Sequence, residues 1–272
     1  PKKNPRKGTN MKKGVFITYK KDGTPYYRSS FTFQNKHISL GSFSSEEQAG
    51  LAYEEALLLC TDESLTLASY QEKAPVLAFA KWVSILNFRD NHLYFKTPIY
   101  LKPHYFEYYL SEEMILKFDV DDLFFYSTHT IMKRGGHLFV ADYGMQLNIL
   151  NRYGIKNFAV AGKDYRFVNG DDTDFRYKNI HIINRYYGVS REDNQGRILY
   201  TAKIHINGDY LIGRFRDEKE AAIAYNKAVD LLSEKGLSIQ YTKNYIDGMD
   251  SEAYHACYNS VHLSKKLRAY KP

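Results

Sequence analysis

Hydrophobic residues change their spacing within residues 14–60, and the change predicts a small sheet followed by a helix. Across residues 28–33 small or apolar side chains alternate with polar ones, which is the period of a half-buried β-strand. Turn-forming residues at 21–23 and 34–36 divide the segment into three antiparallel strands. From Ala49 to Cys60 small and apolar residues recur every third or fourth position, as on the buried stripe of a helix. Ser45 and Gln48 have the spacing of a capping box at its start.

The same pattern occurs a second time over residues 188–232. Corresponding positions carry the same residue in both copies: Gly23 and Gly196, Gly41 and Gly213, Phe43 and Phe215, Ala52 and Ala224, Tyr53 and Tyr225. Asp217 and Glu220 provide the second capping box. The chain therefore contains an internal repeat. Each copy has one sheet face that packs against a helix with small alanines, and an opposite face that is left to water or to a ligand.

Three motifs of the repeat resemble the APETALA/ethylene-responsive-factor (ERF) DNA-binding domain. They are Gly-Val at the first strand, Ile/Leu-Gly-x-Phe at the end of the third, and Glu-x-Ala-Ala-x-Ala-Tyr-x-x-Ala in the helix; the second copy matches more closely than the first. The resemblance implies that the polar sheet face lies in the major groove of duplex DNA. Glu192, Asp209 and Leu211 occupy positions that resemble family contact sites, where arginines and tryptophans dominate, so the family's base preference is not carried over.

The segment between the copies and the C-terminal segment give further predictions. The apolar residues at 75–88 predict a buried helix with Trp82 in the core, and residues 61–73 predict a polar connection. A strand is expected at 92–101, a short helix at 111–118, a hairpin turning at 134–136 and a helix at 145–153. After the second copy, residues 251–267 predict a helix capped by Asp250 or Ser251.

Residues 163–183 resemble the HNH nuclease module of phage and intron-encoded homing endonucleases, which an ERF-type domain often follows. The matching residues are Val168-Asn169-Gly170, Asp174, Arg176 and Asn179-Ile180. Arg166, however, stands where the family has a metal-binding Asp or His, and Phe167 stands where it has the general-base histidine. A cationic side chain repels a metal ion, and losing the base alone costs about 10²–10⁴-fold in rate. The resemblance therefore implies a degenerate, non-catalytic unit in which Arg166 and Arg176 hold phosphates.

A nuclease that cuts with displaced ligands is the alternative. Its catalytic groups would be His181, Asp171 and Asp174, whereas the plain interpretation of this acidic loop is turn formation. A third alternative is that the middle segment is a protein-interaction module.

Composition and charge restrict the class of protein. The chain has 272 residues, 44% hydrophobic residues and a net charge of +7. Residues 1–13 hold six basic residues and no acidic one, so this basic arm is either a solvated tail or a phosphate contact. Two cysteines, Cys60 and Cys257, predict packed thiols in a reducing compartment, with no zinc-binding pair. No long apolar run or signal-peptide pattern is present, so a soluble, cytoplasmic and nucleoid-associated protein is expected.

The predicted fold class is α+β, with two sheet-plus-helix modules flanking a central region that contains the degenerate ββα unit. The predicted domains are the arm (1–13), a first module (14–73), a central domain (74–184), a second module (185–248) and a C-terminal helix (249–272). The predicted function is sequence-specific binding of double-stranded DNA by a monomeric, non-catalytic transcriptional regulator without a cofactor or membrane partner. The predicted DNA contacts are Lys12, Lys13, Thr18, Lys20, Arg28, Ser30, Thr32, His37, Arg166, Arg176, Arg185, Tyr187, Ser190, Arg191, Arg197, Thr201, Lys203 and His205.

Overall fold

The computed structural model describes residues 11–272 and separates into two compact units. The first comprises the chain up to Leu147 together with Asp172–Tyr177, and the second comprises Asn148–Asp171 and Lys178–Pro272. Helices occur beside four small three-stranded antiparallel sheets and one two-stranded sheet within the described residues. The predicted α+β class is thereby confirmed.

The first repeat forms the predicted meander and helix. Strands β1 (Val15–Tyr19), β2 (Pro25–Phe33) and β3 (Lys36–Phe43) pair in the order β1-β2-β3, and helix α1 (Glu46–Thr61) follows. The Ser45 hydroxyl accepts a hydrogen bond from the Gln48 N–H at 3.2 Å, as the capping pattern predicts. A β-bulge between Ser29 and Ser30 shifts the register of β2 against β3.

The core of the first module extends beyond the repeat itself. Ala49, Ala52 and Ala56 of α1 are completely buried, so the helix lies close against the sheet. After the short helix α2 (Ser69–Lys73), helix α3 (Phe79–Asn91) adds Trp82 to the cluster that contains Phe31 of the sheet. Trp82 is therefore a core residue, as predicted, and α3 completes the hydrophobic core under α1.

The remainder of the first unit contains a three-stranded sheet of β4 (Ile99–Leu101), β5 (Tyr105–Tyr109) and β6 (Ile115–Asp119), followed by helix α4 (Leu123–Thr128). The helix predicted at 111–118 is wrong, because Leu116 and Phe118 alternate into the core with the period of a strand. The strand predicted at 92–101 is formed only at its last three residues.

A second sheet consists of β7 (Ile131–Arg134), β8 (His137–Asp142) and β9 (Met145–Asn148). The hairpin predicted at 134–136 is confirmed, with both Gly135 and Gly136 at positive φ. The helix predicted at 145–153 is mostly wrong: β9 occupies its first part, and the side chain of Asn148 starts a short 3-10 turn, Ile149–Tyr153.

The second unit begins with the region that resembles the HNH module. Strands β10 (Tyr165–Phe167) and β11 (Ile180–Ile182) form a two-stranded antiparallel sheet. The described chain then continues into β12 (Val189–Asn194), so the strand pair of a ββα unit is present but no helix directly follows it.

The second repeat completes the unit. Strands β12, β13 (Arg197–His205) and β14 (Asp209–Phe215) form the sheet, and helix α5 (Glu218–Glu234) packs on it with Ala221, Ala224 and Ala228 fully buried. The C-terminal helix predicted at 251–267 is interrupted: α6 (Ser251–Ser260) and α7 (Lys265–Arg268) are separated by an extended segment. Val261 and Leu263 in that segment are buried in the core of the second module, which explains the break.

The two modules agree in detail, which confirms the internal repeat. The second also has a bulge in its central strand, between Ala202 and Lys203. Gly14 and Gly188 both have positive φ, at 74° and 68°, and a Cβ on either would lie 2.2 Å from the ring of Tyr53 or Tyr225. Each glycine carbonyl accepts a hydrogen bond from the residue after the bulge, Ser30 or Lys203.

Both cysteines are free and partly buried, as predicted. Burial raises the pKa of the Cys60 thiol to about 11, so the thiolate that reacts with electrophiles is scarce at neutral pH. Within residues 11–272 no helix combines the length and the apolar composition that crossing a membrane requires.

Candidate nucleic-acid interface

The outer face of the first sheet carries polar side chains in three rows across the strands. Directly paired residues share a face, and the rows are Phe16–Arg28–Ser42, Ser30–Ser39 and Thr32–His37. Arg28, Thr32 and His37 are exposed, whereas Thr18 and Ser30 are partly buried. A shallow hollow of about 260 Å³ runs over this face between Phe16, Arg28 and His37.

The charge of this face is not compensated. Strands β1 to β3 contain no aspartate or glutamate. Within the described residues, neither Arg28 nor His37 forms a hydrogen bond or ion pair through its side chain. Phe16, with 57% of its surface exposed, lines the same hollow as Arg28 and His37. The face therefore offers a cation, an imidazole, hydroxyl groups and an aromatic ring.

The basic residues next to this sheet are placed differently. Lys20 is exposed at the β1–β2 turn. Lys12 packs against Gly50, and the Lys13 ammonium lies 6.0 Å from the ring centroid of Tyr53, so both lie beside α1 and not on the outer sheet face. The other basic residues of the predicted arm, within residues 1–10, lie outside the described part of the chain.

The outer face of the second sheet has paired charges. Its rows are Ser190–Thr201–Arg214, Lys203–Leu211 and His205–Asp209. Arg214 lies 3.9 Å from the Glu192 carboxylate, and His205 lies 2.9 Å from Asp209. The hydrogen bond from His205 holds the pKa of Asp209 below its usual range. Lys203 is an exposed cation of this face that forms no ion pair with another described residue, although its charge helps to lower the pKa of Asp209.

Several residues predicted to contact DNA from the second sheet are buried, face the helix or lie outside the outer face. Thr201 is 1% exposed, and its hydroxyl has no hydrogen-bond partner among the described residues, so it is buried under its neighbours. Arg191 follows Ser190 directly, and adjacent residues of a strand point to opposite faces; it shares the helix-facing side with Val189. Tyr187 packs against the core and accepts a hydrogen bond from the Asn157 N–H. Arg197 is exposed at the start of β13, and Arg185 is exposed in the connection between β11 and β12.

Arg214 is the residue of this face that the sequence reasoning missed. It is exposed and pairs with Thr201 across the sheet. The repeat offered a signal: Arg214 lies between Gly213 and Phe215, which correspond to Gly41 and Phe43, so it is the equivalent of Ser42. Ser42 pairs with Arg28 on the outer face of the first sheet.

The two arginines and the acidic groups of the HNH-like region separate into different environments. Asp174 is buried and receives two hydrogen bonds from the Arg176 guanidinium, the shorter at 2.6 Å, and this pairing raises the pKa of Arg176. The same guanidinium lies 5.1 Å from the ring centroid of Tyr105. Arg176 is therefore occupied by structural contacts in the first unit, and the predicted phosphate contact at this residue is not favoured.

The remaining groups lie in the second unit. Asp171 belongs to a loop in which its backbone carbonyl accepts a hydrogen bond from Asn179. Phe167 packs edge-on against Tyr165. Arg166 and His181 are directly paired across β10 and β11 and are both exposed. Across residues 11–272 no group of three or more His, Cys, Asp or Glu side chains is arranged to hold a metal ion.

Asp164, another acidic residue of this region, has a structural role. Its carboxylate lies 3.0 Å from the Lys156 ammonium and accepts a hydrogen bond from the Val160 N–H at 2.9 Å. Burial raises its pKa, but these hydrogen bonds outweigh burial, so the pKa lies below the ordinary value of 3.8.

The structure thus gathers Thr18, Arg28, Ser30, Thr32 and His37 on one face, and Ser190, Lys203 and His205 on another. No family model, no curated protein and no solved structure matches this chain.

Proposed function

We propose that this protein binds duplex DNA through the outer face of the β1-β2-β3 sheet without cutting it. The observation that carries the proposal is the uncompensated polar face around Arg28 and His37, which has no acidic residue on its strands. Arginine donates two hydrogen bonds to guanine in the major groove, and hydroxyl groups donate to or accept from either base type. Neighbouring strands lie about 4.8 Å apart, so three strands span roughly 10 Å, which fits a groove about 12 Å wide.

The second sheet supplies a weaker contact in this proposal. Lys203 is available for phosphate, whereas Arg214 is engaged by Glu192. Glu192 could accept a hydrogen bond from a cytosine amino group once Arg214 turns to a phosphate. Two modules on one chain raise the effective concentration of the second contact, which suits a long or bipartite site and a role in regulating transcription.

The lack of cleavage is part of the proposal. Arg176 occupies the Asp174 carboxylate through two hydrogen bonds, which blocks the acidic group that the HNH pattern retains. A plasmid carrying the bound site should stay supercoiled in magnesium or manganese. Nicking that His181→Ala abolishes would support a nuclease instead.

The binding proposal is tested by selecting bound duplexes from a random pool and measuring affinity by fluorescence anisotropy. We expect Arg28→Ala to weaken binding of the selected duplex by about 1–3 kcal/mol and to relax preference at one or two base pairs. Lys73→Ala is the matched control, because Lys73 is exposed on α2 of the same unit and away from the sheet. Equal effects of the two substitutions, or no binding at low salt, would contradict the proposal.

A further inference from the structure

A second basic surface lies on the opposite side of the second sheet. The β10–β11 pair places Arg166 directly across from His181. These two residues line a hollow of about 430 Å³, together with Arg191 of β12, Tyr200 of β13 and Glu218 at the start of α5. All of these residues belong to the second unit, so the hollow is formed within one compact body.

The hollow has more positive than negative groups. Two guanidinium groups and an imidazole line it, and Glu218 is the acidic residue among the described lining residues. The Glu218 carboxylate is partly engaged, because it accepts a hydrogen bond from the Arg185 N–H at 3.4 Å. Neither Arg166 nor Arg191 forms a side-chain hydrogen bond or ion pair with another described residue. Two guanidinium groups that line one hollow and form no ion pair there outweigh the Glu218 carboxylate and favour an anionic ligand.

The internal repeat shows that the fold does not require an arginine here. Val15 and Val189 begin equivalent strands, and two residues further on the first module has Ile17 paired with Tyr27, where the second has Arg191 paired with Tyr200. The same sheet and helix are built in both modules. The cation at this position is therefore not explained by packing.

Arg191 is held in place by a buried side chain. The Arg191 N–H donates to the Asn184 side-chain oxygen at 2.7 Å, and the Asn184 amide donates to the Lys163 carbonyl at 2.8 Å. Asn184 is 5% exposed. Arg166 is fixed by its strand pairing with His181. The backbone that carries each guanidinium group is therefore ordered, which reduces the conformational entropy lost when a ligand binds.

We propose that this hollow binds a phosphate group, held by Arg166 and Arg191. The planar guanidinium donates two parallel hydrogen bonds to phosphate oxygens, and two of them satisfy a phosphate monoester or diester. The volume also accommodates a mononucleotide, with Tyr200 available to its base. Because Arg191 points to the helix-facing side of the sheet, this site is separate from the outer faces and does not depend on the proposed function.

The test replaces Arg191 by isoleucine, because Ile17 stands at the equivalent position of the first module. Arg191→Ile and wild-type protein are titrated with pyrophosphate, with AMP and with a 20-base-pair duplex by isothermal calorimetry. Arg268→Ile, which replaces an exposed arginine on α7 of the same unit, is the matched control. Whichever probe the wild-type protein binds, we expect Arg191→Ile to weaken its affinity roughly tenfold or more. The control substitution should leave that affinity unchanged.

The probes separate the two sources of the phosphate. Loss of pyrophosphate or AMP binding assigns the site to a free phosphate compound. Loss confined to the duplex, with the slope of log affinity against log salt reduced by about 1, assigns it to the nucleic-acid backbone. Arg28→Ala affects only the duplex, so failure of the sheet proposal remains distinguishable. Unchanged affinity for all three probes in Arg191→Ile overturns the proposal; if that variant melts early, exposed Arg166→Gln gives the same decision.

Discussion

Single side chains of the candidate interface differ in whether other groups compensate their charge. The alternation of β2 indicated correctly that Arg28, Ser30 and Thr32 share one face, because cross-strand pairing follows the period of two. The same reasoning failed for Arg191 and Thr201. Arg191 was assigned together with its neighbour Ser190, although the two point to opposite sides, and the burial of Thr201 depends on side chains from elsewhere in the fold.

Ion pairs are still harder to predict from sequence. The contact between Asp174 and Arg176 requires a specific turn, and the contact between Lys156 and Asp164 requires that the loop between them folds back. Neither spacing belongs to a regular helix or strand. Because of these contacts, Asp164 and Asp174 accept hydrogen bonds within the protein, although aspartate is a residue type that also binds metal ions.

Asp164 gives a prediction about acid stability. Because its pKa is lowered in the folded protein, the stability that it contributes is fully present above the ordinary value of 3.8 and is lost as the pH falls through the folded-state pKa. We expect Asp164→Asn to lower the free energy of unfolding at pH 7 by about 1–3 kcal/mol. Urea unfolding at several pH values measures this, and the difference from wild type should shrink as the pH falls below the ordinary pKa of 3.8. A difference that does not depend on pH would contradict the assigned role of the carboxylate.

At the scale of elements, local signals predicted most of the repeats and fewer of the segments between them. Capping pairs and glycine-containing turns are short-range, so the two modules could be predicted from sequence. Strand β6 was mistaken for a helix because Ser111 and the two glutamates after it resemble a helix start. Its identity is decided by hairpin pairing with the preceding strand β5 and by the stacking of Phe118 on Phe106 of that strand.

The glycine that opens each first strand gives a prediction about how sheet and helix fit. A Cβ at Gly14 would meet the Tyr53 ring at 2.2 Å and the Ser30 carbonyl at 2.5 Å, whereas a Cβ at Gly23 would meet nothing within 4 Å. Both glycines have positive φ, so backbone strain is common to both substitutions. We expect Gly23→Ala to cost about 1 kcal/mol of unfolding free energy and Gly14→Ala to cost roughly 3 kcal/mol or more. Denaturant unfolding distinguishes them, and equal losses would mean that Tyr53 moves aside freely.

At the scale of the whole molecule, the net charge of +7 matters through its distribution. Residues 1–10 contain four basic residues and no acidic one, outside the described part of the chain. If the chain binds DNA as proposed, log affinity should fall with log salt by about 0.9 for each phosphate contacted. We expect removal of residues 1–10 to weaken binding to all duplexes alike and to reduce this slope. Anisotropy titrations at several salt concentrations measure both, and a change in base preference would contradict a purely electrostatic contribution.

The contiguity of each hydrophobic core has a consequence for synthesis of the chain. The buried cluster of the first module uses residues between Phe31 and Phe88, and that of the second uses residues between Tyr186 and Leu267. Duplicated strands with matching registers are at risk of exchanging partners while they are unfolded. Because translation proceeds from the N-terminus, the first cluster can close on the ribosome about a hundred residues before the competing strands emerge. The order of emergence therefore protects the nascent chain from pairing the wrong copies.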